Sequence, residues 1–267
     1  MRLKIEHSSR YKFDHPTRYG LQQLRLTPKS RVGQKVERWS TQIEGGRIET
    51  EFEDQNANRV SLISFAPGAL EIHVRCFGEI ETEDQHGIVG KHRGFLPLWL
   101  FKRSTDLTRA SANVRRLTKG LRDAHDNDIT LLHDLSARIL EAVPYATGET
   151  HAATSADEAI EHGYGVCQDH AHIFIAAARA MDYPARYVSG YLMMEDREQQ
   201  DATHAWAEAH IDGFGWVGFD VANGISPDAR YIRVATGLDY REAAPISGLR
   251  FGAGSETLSV DVAVQEQ

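Results

Sequence analysis

The chain has 267 residues, a net charge of −8 and a pI near 5.9, so it could hold one large domain or two ordinary ones. Its acidic balance argues against a general nucleic-acid or membrane-surface binder. It contains no run of about 18 apolar residues that could cross a bilayer, and its two cysteines are too few for a disulfide framework.

Charges in Met1-Arg2-Leu3-Lys4-Ile5-Glu6 fall where a signal peptide would need an apolar stretch, so a cytoplasmic location is expected. From there to about residue 100 the chain reads as β structure. Runs such as Leu3–His7, Tyr11–Asp14, Gln22–Pro28, Trp39–Ile43, Val60–Phe65 and Leu70–Ile80 are short, mostly alternating, and bounded by Gly, Pro, Asn or Asp. Their spacing predicts an antiparallel β-sandwich over residues 1–100. Asn56-Ala57-Asn58-Arg59 reads as a hairpin turn. Cys76 shares a face with Ile72 and Val74 and reads as core filling, and a Cys76–Cys167 bridge is disfavoured.

Residues 101–120 form a linker rich in basic residues, among them Arg103, Arg109, Arg115, Arg116 and Lys119, which read as a solvated face. Residues 121–240 follow as a second unit. Asp128–Leu140 has helical apolar spacing and ends at Pro144. Tyr145 lies in the next loop, where its hydroxyl could donate to an oxyanion, although a packing or surface role is equally open. Thr154-Ser155-Ala156-Asp157-Glu158 starts a short helix with Thr154 or Ser155 as cap.

Gly163 and Gly165 then form a turn that delivers Cys167, and the chain runs on through an alanine-rich apolar stretch to Asp182-Tyr183-Pro184. This stretch predicts a buried helix of about four turns. A cysteine in its first turn meets unpaired N–H groups and the positive end of the helix dipole, which favour a thiolate. A buried, inert thiol is the plain alternative. His170 and His172, on the same helix, read as buried hydrogen-bonded side chains. A zinc set of Cys167, His170 and His204 lacks a fourth ligand in any recognisable spacing.

Alternation over Thr203–Ile211 puts His204, Trp206, Glu208 and His210 on one face of a strand and three alanines on the other. Asp212-Gly213-Phe214-Gly215 is a turn, and Trp216–Val221 returns. A two-residue loop would throw Asp220 to the wrong face. A three-residue loop at 212–214 sets Asp220 opposite Trp206, diagonal to His204. The three side chains then have the chemistry of a nucleophile–base pair. Cys167 attacks a carbonyl, His204 moves the proton, and Asp220 fixes the imidazole tautomer, with the Cys167 N–H facing the oxyanion.

Gly165-Val166-Cys167-Gln168-Asp169-His170-Ala171, Thr203-His204-Ala205-Trp206-Ala207-Glu208 and Gly215-Trp216-Val217-Gly218-Phe219-Asp220 resemble, in order, the cysteine, histidine and aspartate segments of the transglutaminase-like superfamily. In particular, the whole chain resembles its bacterial cysteine-protease-like members, which carry an N-terminal β module. The resemblance implies an α+β fold, with a papain-like core in which the cysteine helix packs on an antiparallel sheet. Leu258, Val260, Val262 and Val264 share one face of a strand in the tail, residues 241–267, which is expected to return to the N-terminal module. The activity that the resemblance implies is amide hydrolysis or acyl transfer through a thioester, on a peptide or γ-glutamyl substrate, with no cofactor. Gln168 stands where animal cross-linking enzymes carry Trp, and Val221-Ala222 follow Asp220 where Pro-Thr is common. The first departure favours hydrolysis over cross-linking. No calcium-loop pattern is present. An inactive binding or scaffold protein of the same fold is the rival reading, and a homo-oligomer is left open.

Overall fold

A computed structural model describes residues 1–267. The first strand, β1 (Arg2–Phe13), buries every second residue, as its alternation requires. β2 (Tyr19–Thr27), β3 (Gln34–Glu44), β4 (Gly46–Glu53), β5 (Arg59–Phe65) and β6 (Glu71–Thr82) follow. β4 is almost wholly exposed and alternates Glu with apolar or Thr residues, so it carries no burial pattern that the sequence could reveal. The turn before β5 is wider than Asn56–Arg59 alone. Asp54 organises it, accepting from the backbone N–H groups of Asn56 and Asn58 at 2.9 Å each.

β7 (Ile88–Gly90) leaves this module and becomes an edge strand of the third sheet, beside β11. A 3₁₀ turn at Leu98–Lys102 and helices α1 (Ala112–Leu117) and α2 (Leu121–Ala124) occupy the stretch expected as a linker. They bury Phe101, Val114 and Leu121. α3 (Asp128–Ala142), α4 (Ala156–His162) and α5 (Cys167–Ala180) lead to β8 (Ala185–Leu192), β9 (Gln199–Gln200), β10 (His204–Ile211), β11 (Gly215–Phe219) and β12 (Tyr231–Gly237). The chain ends with α6 (Tyr240–Ala243), β13 (Ile246–Phe251) and β14 (Glu256–Glu266).

The fold is α+β. Two sheets, ordered β3-β6-β1-β14-β9 and β13-β2-β5-β4, enclose a core of Tyr11, Leu24, Ile63, Ile72, Val74 and Cys76, among others. β14 pairs along the whole of β1, with Leu3 opposite Glu266 and Phe13 opposite Glu256.

The third sheet, β12-β8-β10-β11-β7, carries α5 on one face. Ala205, Ala207 and Ala209 of β10 are the residues beneath that helix, and with no side chain beyond Cβ they let it lie close. Phe174 of α5 stacks on Phe219 of β11 with ring centroids 4.9 Å apart. The N-terminal module protects the edge strand β12 with side-chain amides. Gln34 accepts from the Arg233 N–H (2.8 Å) and donates to its carbonyl (3.0 Å). Asn58 accepts from the Thr236 N–H (2.8 Å) and donates to its carbonyl (2.7 Å). These bonds occupy polar groups that an edge would otherwise expose.

Candidate active site

The cysteine is delivered by a short, well-anchored turn. A Ser155–Glu158 capping box starts α4, and Gly163, with φ of +76°, ends it in the left-handed region. Gly165 then bridges to Tyr145: its N–H donates to the Pro144 carbonyl (3.2 Å), and its own carbonyl accepts from the Ala146 N–H (2.9 Å). A Cβ on Gly165 would sit 2.8 Å from that of Asp169, so glycine is required by crowding. Asp169 turns back to accept from the Val166 N–H (2.8 Å) and the Thr150 hydroxyl (2.7 Å), fixing the start of α5. Cys167 opens the helix, partly exposed, where the first-turn N–H groups have no intrahelical acceptor.

Histidine and aspartate arrive from the neighbouring strands. Ile211 faces Gly215 and Ala207 faces Phe219, so the β10–β11 loop is the three-residue turn 212–214, with Gly213 at φ +85° and Gly215 at φ +81°. That register carries Asp220 to the face of Trp206 and His204. His204 Nε2–H donates to Asp220 Oδ2 at 2.6 Å, which leaves Nδ1 free of that bond. Asp220 is fully buried and receives two further bonds on the same oxygen, from the Tyr231 hydroxyl and the Asn223 side-chain amide, each 2.7 Å. A tight loop holds it there, with paired backbone bonds between Asp220 and Ile225 of 2.8 and 3.1 Å.

The charges reinforce one another. Burial alone would lower the pKa of His204, but the Asp220 carboxylate, together with the nearby Cys167, outweighs it and raises that pKa to about 10. Burial likewise works against the Asp220 carboxylate, yet His204, Asn223 and Tyr231 together hold its pKa below the ordinary value. The Tyr231 phenol is pushed upward by burial and by Asp220, so it remains a proton donor.

A cleft of about 700 Å³ opens here, lined among others by Tyr145, Met193, Met194, Arg197, His204 and Asn223. Tyr145 is half exposed, and burial together with the charges of Cys167 and Asp220 raises its pKa.

The remaining histidines are engaged elsewhere. His170 Nε2 is 2.7 Å from the Val143 carbonyl. His172 Nε2 accepts from the Tyr240 N–H (3.2 Å), and burial lowers the pKa of His172 to about 4. No three His, Cys, Asp or Glu side chains gather into a metal-binding arrangement. Cys76 and Cys167 are both free thiols. Reading the sequence missed Tyr231, Asn223 and Asp169. For Asn223 a signal existed, since Asn223-Gly224 is a turn pair placed just after Asp220.

Residues 115–221 match the transglutaminase-like superfamily, and residues 3–81 match the bacterial transglutaminase-like N-terminal region. The chain belongs to the transglutaminase-like superfamily. An uncharacterized protein of Mycobacterium leprae is 26% identical to it over 98% of both chains. One from Mycobacterium tuberculosis is 37% identical over 51% of this chain and 46% of its own length. Among solved structures, a protein of Cytophaga hutchinsonii described as a "Putative Cysteine Protease" has a TM-score of 0.79 at 23% identity, covering 100% of this chain and 91% of that one. That likeness concerns the fold, and it is the α+β arrangement of N-terminal β module and helix–sheet core described above. No helix is long and apolar enough to cross a membrane.

Proposed function

We propose that this member of the transglutaminase-like superfamily is a cysteine-dependent amide hydrolase or acyl transferase. Its substrate would be a peptide or γ-glutamyl amide, with water favoured as acceptor. The reading is supported above all by the bond from His204 to the buried Asp220, beside a helix that begins with Cys167.

Cys167 attacks the carbonyl carbon as its thiolate, and His204 carries the proton that the thiol gave up. The tetrahedral oxyanion faces the N–H of Cys167, with the Tyr145 hydroxyl as a second donor. His204 then passes its proton to the departing amine, which leaves a thioester on Cys167. Water, deprotonated by His204, hydrolyses that thioester and restores the thiol. Asp220 keeps the imidazole oriented and stabilises its charged form. The polar and apolar lining of the cleft, with Arg197 beside Met193 and Met194, suits a peptide segment that has both kinds of side chain.

The test is a trapped acyl-enzyme. After incubation with candidate peptides and acid quench, intact mass should show an adduct that maps to Cys167 and is absent from Cys167→Ala. A thiol alkylator at neutral pH should modify Cys167 quickly and spare Cys76, which is fully buried and whose pKa burial raises to about 11. If Cys167 in the folded protein alkylates no faster than Cys76 and no adduct forms, the scaffold reading replaces this one.

A further inference from the structure

Four residues beyond His204, on the same face of the core sheet, lies a second buried carboxylate, Glu208. Its Oε1 accepts from Arg233 Nε at 2.6 Å, and its Oε2 accepts from Arg186 Nε (2.6 Å) and Arg233 Nη2 (3.0 Å). Both oxygens are therefore taken by two arginines.

A third arginine faces this group from the N-terminal module. Arg31 stands at the head of a tight turn, closed by bonds from its N–H to the Gln34 carbonyl (2.7 Å) and back (3.1 Å), with Gly33 at φ +74°. Gln34 clamps the turn to β12 at Arg233. The Arg31 guanidinium has no hydrogen-bond acceptor in the protein, and its Nε is shielded from solvent without a partner. Burial and the charges of Arg233 and Arg186 weaken its hold on its proton, and Glu208 offsets this only in part.

Three guanidinium groups thus share one carboxylate. The nearby Asp228 does not redress the balance, because Arg230 holds it through bonds of 2.6 to 3.0 Å. Glu83 is exposed at the rim. Between Arg31, Arg233, Gln85, Trp206, Gly218 and Asp228 lies a cavity of about 70 Å³, room for one small polyatomic ion and too little for a nucleotide. Arg31 is only partly buried, but a cation whose Nε is shielded from solvent without a partner is costly unless a counter-charge accompanies it. A planar guanidinium fork suits a tetrahedral oxyanion.

We propose that this cavity binds one small tetrahedral oxyanion, of the size of inorganic phosphate, on Arg31 and Arg233, joining the N-terminal module to the core. Cys167 does not line this cavity, although Tyr231, which does, also donates to Asp220, and the proposal stands whether or not the chain is a hydrolase.

Calorimetric titration of the full chain with inorganic phosphate, at ionic strength matched with chloride, tests it. One saturable site per chain is expected, together with a thermal midpoint that rises with phosphate concentration. Arg31→Met should weaken phosphate binding by about tenfold or more, the loss of a charge-assisted hydrogen-bond pair. In phosphate-free buffer it should leave the midpoint unchanged or higher, since an unpaired, partly buried charge has gone. Arg31→Lys keeps the charge without the fork and should also bind phosphate more weakly, so it carries the test if the methionine variant does not fold. Absence of saturable binding to the wild type overturns the proposal, as does undiminished binding to a folded Arg31 variant.

Discussion

Glu208 on β10 and Asp220 just past the end of the adjacent β11 are both fully buried on one face of the sheet, yet their partners differ in kind. Glu208 meets two arginines, permanent cations that cannot give up their protons under ordinary conditions. Burial works against its ionisation, but Arg186 and Arg233 prevail and lower its pKa to about 2. Asp220 meets an imidazole, a phenol and an amide. The first carboxylate locks strands together. The second holds a group whose proton can leave, and in the proposed reaction that difference separates support from chemistry.

The comparison can be broken at either end. Asp220→Asn should retain the fold and slow the proposed acyl transfer by about 10³–10⁴-fold, because the imidazole loses its orienting anion. Rates of thioester formation would measure this. Glu208→Gln should do the reverse, leaving Arg186 and Arg233 buried with no anion and costing about 3–5 kcal/mol in denaturant unfolding.

Stability against pH sharpens the contrast. The pKa of His204 is raised from 6.5 to about 10. The stability it contributes is therefore fully present below about pH 6.5 and lost as pH rises through about 10, by at most about 1.4 kcal/mol per pH unit. Unfolding free energies between pH 6.5 and 10 should fall in the wild type and stay flatter in Asp220→Asn. The smallest expected effect is that of Tyr231→Phe, which removes one of three donors to Asp220 Oδ2. About a tenfold slower reaction is expected, the worth of one hydrogen bond to a charged group.

How far the sequence could be read depended on the range of the forces. The first turn of α5 and the alternation of β10 are local patterns, and a two-strand register is decided by loop length, so Cys167, His204 and Asp220 could be named as one candidate site. Tyr231 could not, because it reaches Asp220 from the far edge strand, and its alternating context reads as packing. Arg31 was hidden for the same reason: its charged neighbours belong to strands much later in the chain. β4 was missed because both of its faces are wet, and β7 because three residues carry no period at all.

The pairing of β1 with β14 has a consequence for synthesis. β1 lies between β6 and β14, and β14, which begins at Glu256, is translated long after β1. Until then one flank of β1 is an open ladder with no covering neighbour, while the α5 core is already emerging. Maturation of the β1 module should therefore wait on β14, and a nascent chain stalled before residue 256 should be more readily cleaved by protease around β1 than the released protein.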